Sequence, residues 1–119
     1  MIRALRGATQ LTADDPAEMA DAVVELVSQI LERNALSTDD LISVVFTSTP
    51  DLRSAFPAAA ARTLGIGDVP LLCAQELDVE GALPRVVRVL AHANLDRPRH
   101  EVVHVYLRGA EVLRQDLAQ

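Results

Sequence analysis

Few side chains in this chain stand where chemistry could begin. Arg6 lies in the run Leu5-Arg6-Gly7-Ala8-Thr9, where Gly7 leaves room for close approach, and Arg88 follows the apolar pair Val86-Val87. Arginine presents a rigid, planar, two-pronged donor face that suits carboxylates. Tyr106 sits in a β-branched run, and a tyrosine hydroxyl withdrawn from water wants a hydrogen-bond partner. Taken singly, each has a plain alternative as a surface charge or a residue outside the core. Cys73 with His104 would make a Cys–His nucleophile pair, although a lone cysteine in a strand is more often a small core residue. There is no phosphate-binding glycine loop, no G-x-S-x-G and no metal-ligand spacing, and His92, His100 and His104 lie in polar contexts. Neither a metal nor a cofactor is expected.

The apolar pattern supplies the elements that must position these groups. Ile2 to Leu11 alternates loosely and runs into Thr12-Ala13-Asp14-Asp15, which suits a strand leading to a helix start. Asp15, Pro16 and Glu18 occupy the N-cap, N1 and N3 positions of a capping-box-like start. Met19, Val23, Leu26, Val27, Ile30 and Leu31 then form one stripe at spacings of three and four, predicting a helix that ends near Asn34. Ser37 to Asp40 is a polar turn, and Ile42 to Thr49 is a buried strand stopped by Pro50. Phe56-Pro57 opens a short Ala-rich helix through Leu64 that Gly65 terminates, and Val69 to Leu77 reads as a third strand.

Leu83, Val86, Val87 and Leu90 recur at helical spacing and predict a second amphipathic helix ending near Asn94. That places Arg88 about 140° from Leu83, at the flank of the stripe. For Arg88 to work in a dry site there, something outside the chain must cover it, and a neighbouring subunit is the simplest cover. Glu101 to Leu107 is the last strand, with Val103, Val105 and Leu107 on one face and Val102, His104 and Tyr106 on the other. Arg108-Gly109 follows as a turn, then a short extended tail from Ala110. The order β-α-β-(short α)-β-α-β predicts an α/β protein, a two-layer α+β sandwich with two main helices on one face of a sheet of four or five strands.

Composition limits the partners. At 119 residues the chain is read as one domain, residues 1–119, able to bury a core without disulfides. Half the residues are hydrophobic but only 3% are aromatic, so Ala, Val, Leu and Ile must build that core. A net charge of −6 argues against nucleic acid and against an anionic membrane surface. All 11 basic residues are Arg, a pattern best assigned to coding bias. The single cysteine excludes an intrachain disulfide, Arg3 and Arg6 interrupt any apolar leader, and no run approaches the ~20 apolar residues of a membrane span. A cytoplasmic protein is expected.

An ordered set of segments resembles the AroH-class chorismate mutases. These are Ile2-Arg3-Ala4-Leu5-Arg6-Gly7-Ala8-Thr9, Thr49-Pro50-Asp51-Leu52 with Ala55-Phe56-Pro57-Ala58, Val69-Pro70-Leu71-Leu72-Cys73-Ala74-Gln75-Glu76, Arg85-Val86-Val87-Arg88-Val89, His104-Val105-Tyr106-Leu107 and Val112-Leu113-Arg114-Gln115-Asp116-Leu117. They cover nearly the whole chain in order. The resemblance implies a mixed sheet with helices on one side, three chains around a barrel-like centre, and an active site in each of three interfaces. It implies the Claisen rearrangement of chorismate to prephenate in tyrosine and phenylalanine biosynthesis, with no cofactor, metal or covalent intermediate. By the same resemblance Arg88 meets the ether oxygen, Arg6 and Tyr106 hold the side-chain carboxylate, and Glu76 and Cys73 meet the ring hydroxyl. Phe56, Ala58, Leu72 and Leu113 would be walls, and Arg62 and Arg114 positive charge at the mouth. Two departures, Ala59 where some members carry a basic residue and Gln115 where many carry Pro, fall at the entrance and bear on substrate affinity. The competing readings are a non-catalytic acid-binding trimer or an imine deaminase of the RidA type, and a regulatory partner of another shikimate-pathway enzyme.

Overall fold

The computed structural model describes residues 1–114. Five strands, β1 (Ile2–Gln10), β2 (Leu41–Ser48), β3 (Leu71–Gln75), β4 (Val86–Asn94) and β5 (Val105–Leu107), form one sheet in the order β3-β2-β4-β1-β5. The sheet is mixed: β4 runs antiparallel to both β1 and β2, while β3 is parallel to β2 and β5 parallel to β1. Two helices, α1 (Pro16–Arg33) and the short α2 (Pro57–Ala61), pack against the same face, α1 over β1 and β5 and α2 over β2 and β3.

Helix α1 begins as its sequence predicts, with Pro16 in the first turn and the Asp15 carboxylate accepting from the Glu18 N–H at 2.8 Å. The Glu18 carboxylate does not close a capping box on Asp15. It accepts instead from the Thr12 N–H at 2.7 Å and the Ala13 N–H at 3.1 Å, folding the incoming chain over the helix start. Met19, Ala22, Val23, Leu26, Val27 and Ile30 bury the apolar stripe against the sheet. At the other end Asn34 is fully buried. Its side chain donates to the carbonyls of Ile30 and Val103 and accepts from the Val103 N–H, all within 2.9 Å. This two-way bond fixes the approach to β5, and so the position of Tyr106.

The predicted helix from Leu83 to Asn94 is instead β4, the central strand. Pro84 and Arg85, the latter at φ 53°, form a turn before it, and β-branched Val86, Val87 and Val89 favour extended backbone. The spacing of Leu83, Val86, Val87 and Leu90 looked helical because both faces of this strand carry apolar residues: Val87, Val89, Ala91 and Ala93 face the helices, Val86 and Leu90 the opposite side. The two helices on one face are therefore α1 and α2. The last strand is shorter than Glu101–Leu107, because residues 99–101 form a 3-10 turn, and the extended tail expected from Ala110 begins as another such turn, Ala110–Leu113. The remainder of that tail lies outside the described residues.

Gly7 is where β1 meets helix and strand most closely. A Cβ there would lie 2.9 Å from the Val105 carbonyl oxygen and 2.9 Å from Ile30 Cδ1. Since a backbone atom cannot swing aside, Gly7→Ala should cost about 1–3 kcal/mol of stability, read as a lower urea midpoint with unchanged slope. An unchanged midpoint would show that the close approach is not rigid.

Candidate active site

The register of the sheet builds the site. Arg88 on β4 is the direct partner of Thr47 on β2 and Ala8 on β1; Thr47 in turn pairs with Ala74 on β3, and Ala8 with Tyr106 on β5. One row across the face away from the helices thus reads Ala74, Thr47, Arg88, Ala8, Tyr106. Two residues along, at about 6–7 Å for extended chain, the next row reads Leu72, Val45, Leu90, Arg6. Arg6, Thr47, Arg88, Tyr106 and Leu113 line one cavity of about 290 Å³. Tyr106 and Leu113 also belong to a small separate apolar cluster with Ala8, Val86, Ala110 and Leu83. The small side chain of Ala8 leaves space between arginine and tyrosine.

The start of β4 is pinned by the Thr49-Asp51 turn. Asp51 accepts from the Arg85 N–H at 3.0 Å, Thr49 Oγ1 accepts from the Val86 N–H at 3.0 Å, and Arg85 Nε donates to the Leu11 carbonyl at 2.9 Å. Arg88 lies only three residues beyond. Its Nε donates to both oxygens of Glu76, at 3.1 and 3.2 Å, and the Thr47 hydroxyl donates to Glu76 Oε2 at 2.8 Å. The carboxylate is well shielded, its side chain 16% exposed, while Arg88 is 47% exposed. With Nε committed to Glu76, the terminal nitrogens of Arg88 remain available to a ligand in the cavity. A pocket with two guanidinium groups, a phenol and one carboxylate at its edge fits a small anion bearing a hydroxyl.

The residues singled out in the sequence separate into two sets. Arg6, Arg88, Tyr106 and Leu113 line this cavity, and Glu76 joins them through its pair with Arg88. Phe56 and Cys73 line a different hollow of about 320 Å³, at the α2 end of β3. Phe56 is 74% exposed, Leu72 is 62% exposed, Arg62 is exposed on the turn after α2, and Ala58 is buried in the main core. Ala59 is exposed on α2, Arg114 is exposed at the end of the described residues, and Gln115 lies outside them. Thr47 was not singled out from sequence. Strand alternation puts it opposite Phe46, but only the β2–β4 register puts it beside Arg88. Cys73 lies on β3 at one edge of the sheet, half-buried against the helix-side core, and His104 just before β5 at the other edge, so they form no nucleophile pair.

The comparisons agree with this fold. A family model described as chorismate mutase type I matches residues 2–117. The chorismate mutase AroH of Thermus thermophilus is 51% identical over 118 residues, 98% of this chain and 97% of that protein, and the chorismate mutase AroH of Bacillus subtilis (strain 168) is 40% identical over 119 residues, covering 99% and 94%. A solved chorismate mutase from Clostridium thermocellum superposes with a TM-score of 0.90 at 42% identity, over 92% of this chain and 97% of that one. The chain belongs to the type I chorismate mutase family.

His104, beside Arg6, carries a pH signature. Its Nδ1 accepts from the Arg6 N–H at 3.0 Å, so that nitrogen is unprotonated. Burial, then the charges of Arg6 and Arg114, hold the imidazole below its ordinary value of 6.5. As pH falls through 6.5 the unfolded chain takes up a proton that the folded chain resists, so stability falls with acidity in that window. The carboxylates held low by hydrogen bonds, Glu18 and Asp14, act in a separate window, losing their contribution only as pH falls through 4.5 and below. His104→Asn keeps an acceptor but cannot ionise. The urea midpoint should drop between about pH 7.5 and about pH 5.5 less in this variant than in the wild type. An equal drop in both would remove His104 from the titration.

Proposed function

We propose that the chain isomerises chorismate to prephenate, and that it does so as a cytoplasmic homotrimer with a site at each of three interfaces. The lateral row that joins Arg88 to Tyr106 through Ala8, with Arg6 one row away, carries the reading. The reaction breaks an ether C–O bond as a C–C bond forms within one molecule. It needs no nucleophile or proton transfer, only binding of a dianion in a reactive shape and stabilisation of charge at the ether oxygen. Arg88 supplies that stabilisation, Arg6 and Tyr106 hold the side-chain carboxylate, and Glu76 accepts from the ring hydroxyl. Leu113 closes the apolar wall.

The two-set arrangement supports an interfacial site. Helices cover one face of the sheet, while the other carries Ile2, Leu72 and Leu90 at 61, 62 and 38% exposure. Exposed apolar residues on a sheet face that also holds the cavity suit burial against a second copy. Phe56, Arg62, Leu72 and Cys73 then complete a neighbour's cavity, with Ala58 behind them in the core, while Arg114 adds charge beside this chain's own Leu113. No helix among the described residues is long and apolar enough to cross a membrane. The family membership favours catalysis over an acid-binding trimer without activity.

Purified protein mixed with chorismate should consume its ultraviolet absorbance, and light scattering should report about three chain masses at micromolar concentration. No loss of absorbance sinks the activity; a fully active monomer sinks the interfacial site. Because the ether oxygen gains charge only as its bond breaks, Arg88→Ala should lower kcat by about 10²–10³ with a smaller change in KM. Arg88→Lys, which keeps charge but loses the planar fork, should recover only part of the loss. A folded Arg88→Ala trimer that lost affinity alone would make Arg88 a carboxylate anchor.

A further inference from the structure

We propose that Thr47 is a positioning residue for this rearrangement: its hydroxyl holds the Glu76 carboxylate, and through it the Arg88 guanidinium, in the arrangement the transition state requires. The inference rests on Arg88 acting at the ether oxygen. Three chain segments meet here. Thr47 and Arg88 are cross-strand partners on β2 and β4, and Glu76 is the residue immediately after β3, its N–H donating to the Ser48 carbonyl at 2.9 Å. That bond fixes the Glu76 backbone but leaves its side chain to be fixed by Thr47 and Arg88.

Oε2 of Glu76 takes the Thr47 hydroxyl at 2.8 Å and lies 3.2 Å from Arg88 Nε, while Oε1 lies 3.1 Å from the same nitrogen. With both partners the carboxylate plane has one orientation. Without Thr47 it is held only by a half-exposed arginine, and the pair can rotate together. Threonine suits the task because its β-branched side chain, on a strand, has few χ1 choices, so the hydroxyl is aimed before any ligand arrives. A hydroxyl donating to a carboxylate is also charge-assisted. The benefit falls on the transition state, because the group being aimed is the one that meets developing charge, so kcat should respond more than KM.

Steady-state kinetics with chorismate on Thr47→Val, Thr47→Ser and Thr47→Ala test this, each variant first shown folded by circular dichroism. Thr47→Val keeps branching and volume without the donor and should lower kcat roughly tenfold, with KM changed less. Thr47→Ser keeps the donor and should restore most of the rate, and Thr47→Ala, which loses it without adding bulk, should behave as Thr47→Val does. On a Glu76→Ala background Thr47→Val should cost nothing more, because the group it aims is gone. Thr47→Val within about twofold of wild-type kcat, or an undiminished loss on the Glu76→Ala background, overturns the proposal. If Glu76→Ala itself leaves kcat unchanged, the assignment of the cavity falls with it; if Glu76→Ala slows the enzyme and Thr47→Val does not, only the role of Thr47 falls.

Discussion

The structure depends on β4 being hydrogen-bonded along both edges. All nine of its residues pair with β1, and most pair with β2 as well, so its side chains can differ only in which face they take. One face must bury Val87, Val89, Ala91 and Ala93 under the helices. Any slip by one residue would drive Arg88 into that core and lift the valines out, at the cost of an unpaired buried charge. The register that saves the core therefore also fixes the arginine. The same register sets its neighbours Thr47, Ala8 and Tyr106, so the site needs little backbone of its own.

Charge is arranged with equal economy. The chain carries a net −6, yet its cavity gathers Arg6 and Arg88, with the Glu76 carboxylate paired to Arg88. Glu76 offsets part of the repulsion between the arginines when no anion is bound and orients Arg88 through Nε. On the proposed mechanism a ligand dianion meets cations that are already placed, which limits reorganisation during the reaction. Thr49, Asp51 and Asn34 serve at a distance, fixing the entries to β4 and β5 through backbone N–H groups.

Much of this was legible in the residues. The stripe from Met19 to Ile30, the Asp15-Pro16 start and the Gly65 stop at φ 79° are local signals, and local signals decide helix ends. The alternation that separates Val105 from Tyr106 was equally readable. Residues 83–94 carry a helical spacing because a central strand with apolar residues on both faces imitates it, and neither Pro84 nor three nearby valines outweighs the match. Arg88 lies on the open face of a sheet rather than on a helix flank, and either position leaves it uncovered by this chain's own helices. Thr47 escaped notice because its meaning lies in cross-strand register, which no local pattern encodes.

The central claim is that one chain holds only half of each site, with Arg88 on one half and Arg62 on the other. Subunit mixing tests it most directly. Arg88→Ala and Arg62→Ala proteins, each impaired alone, are dissociated together and reassembled in equal amounts, and the turnover of chorismate is compared with that of each variant reassembled by itself. Chains combined at random leave about a quarter of interfaces with both halves intact, so activity should rise well above either parent, towards that fraction of wild type. Activity no greater than the average of the two parents would place both arginines in a single chain's site and contradict the shared interface.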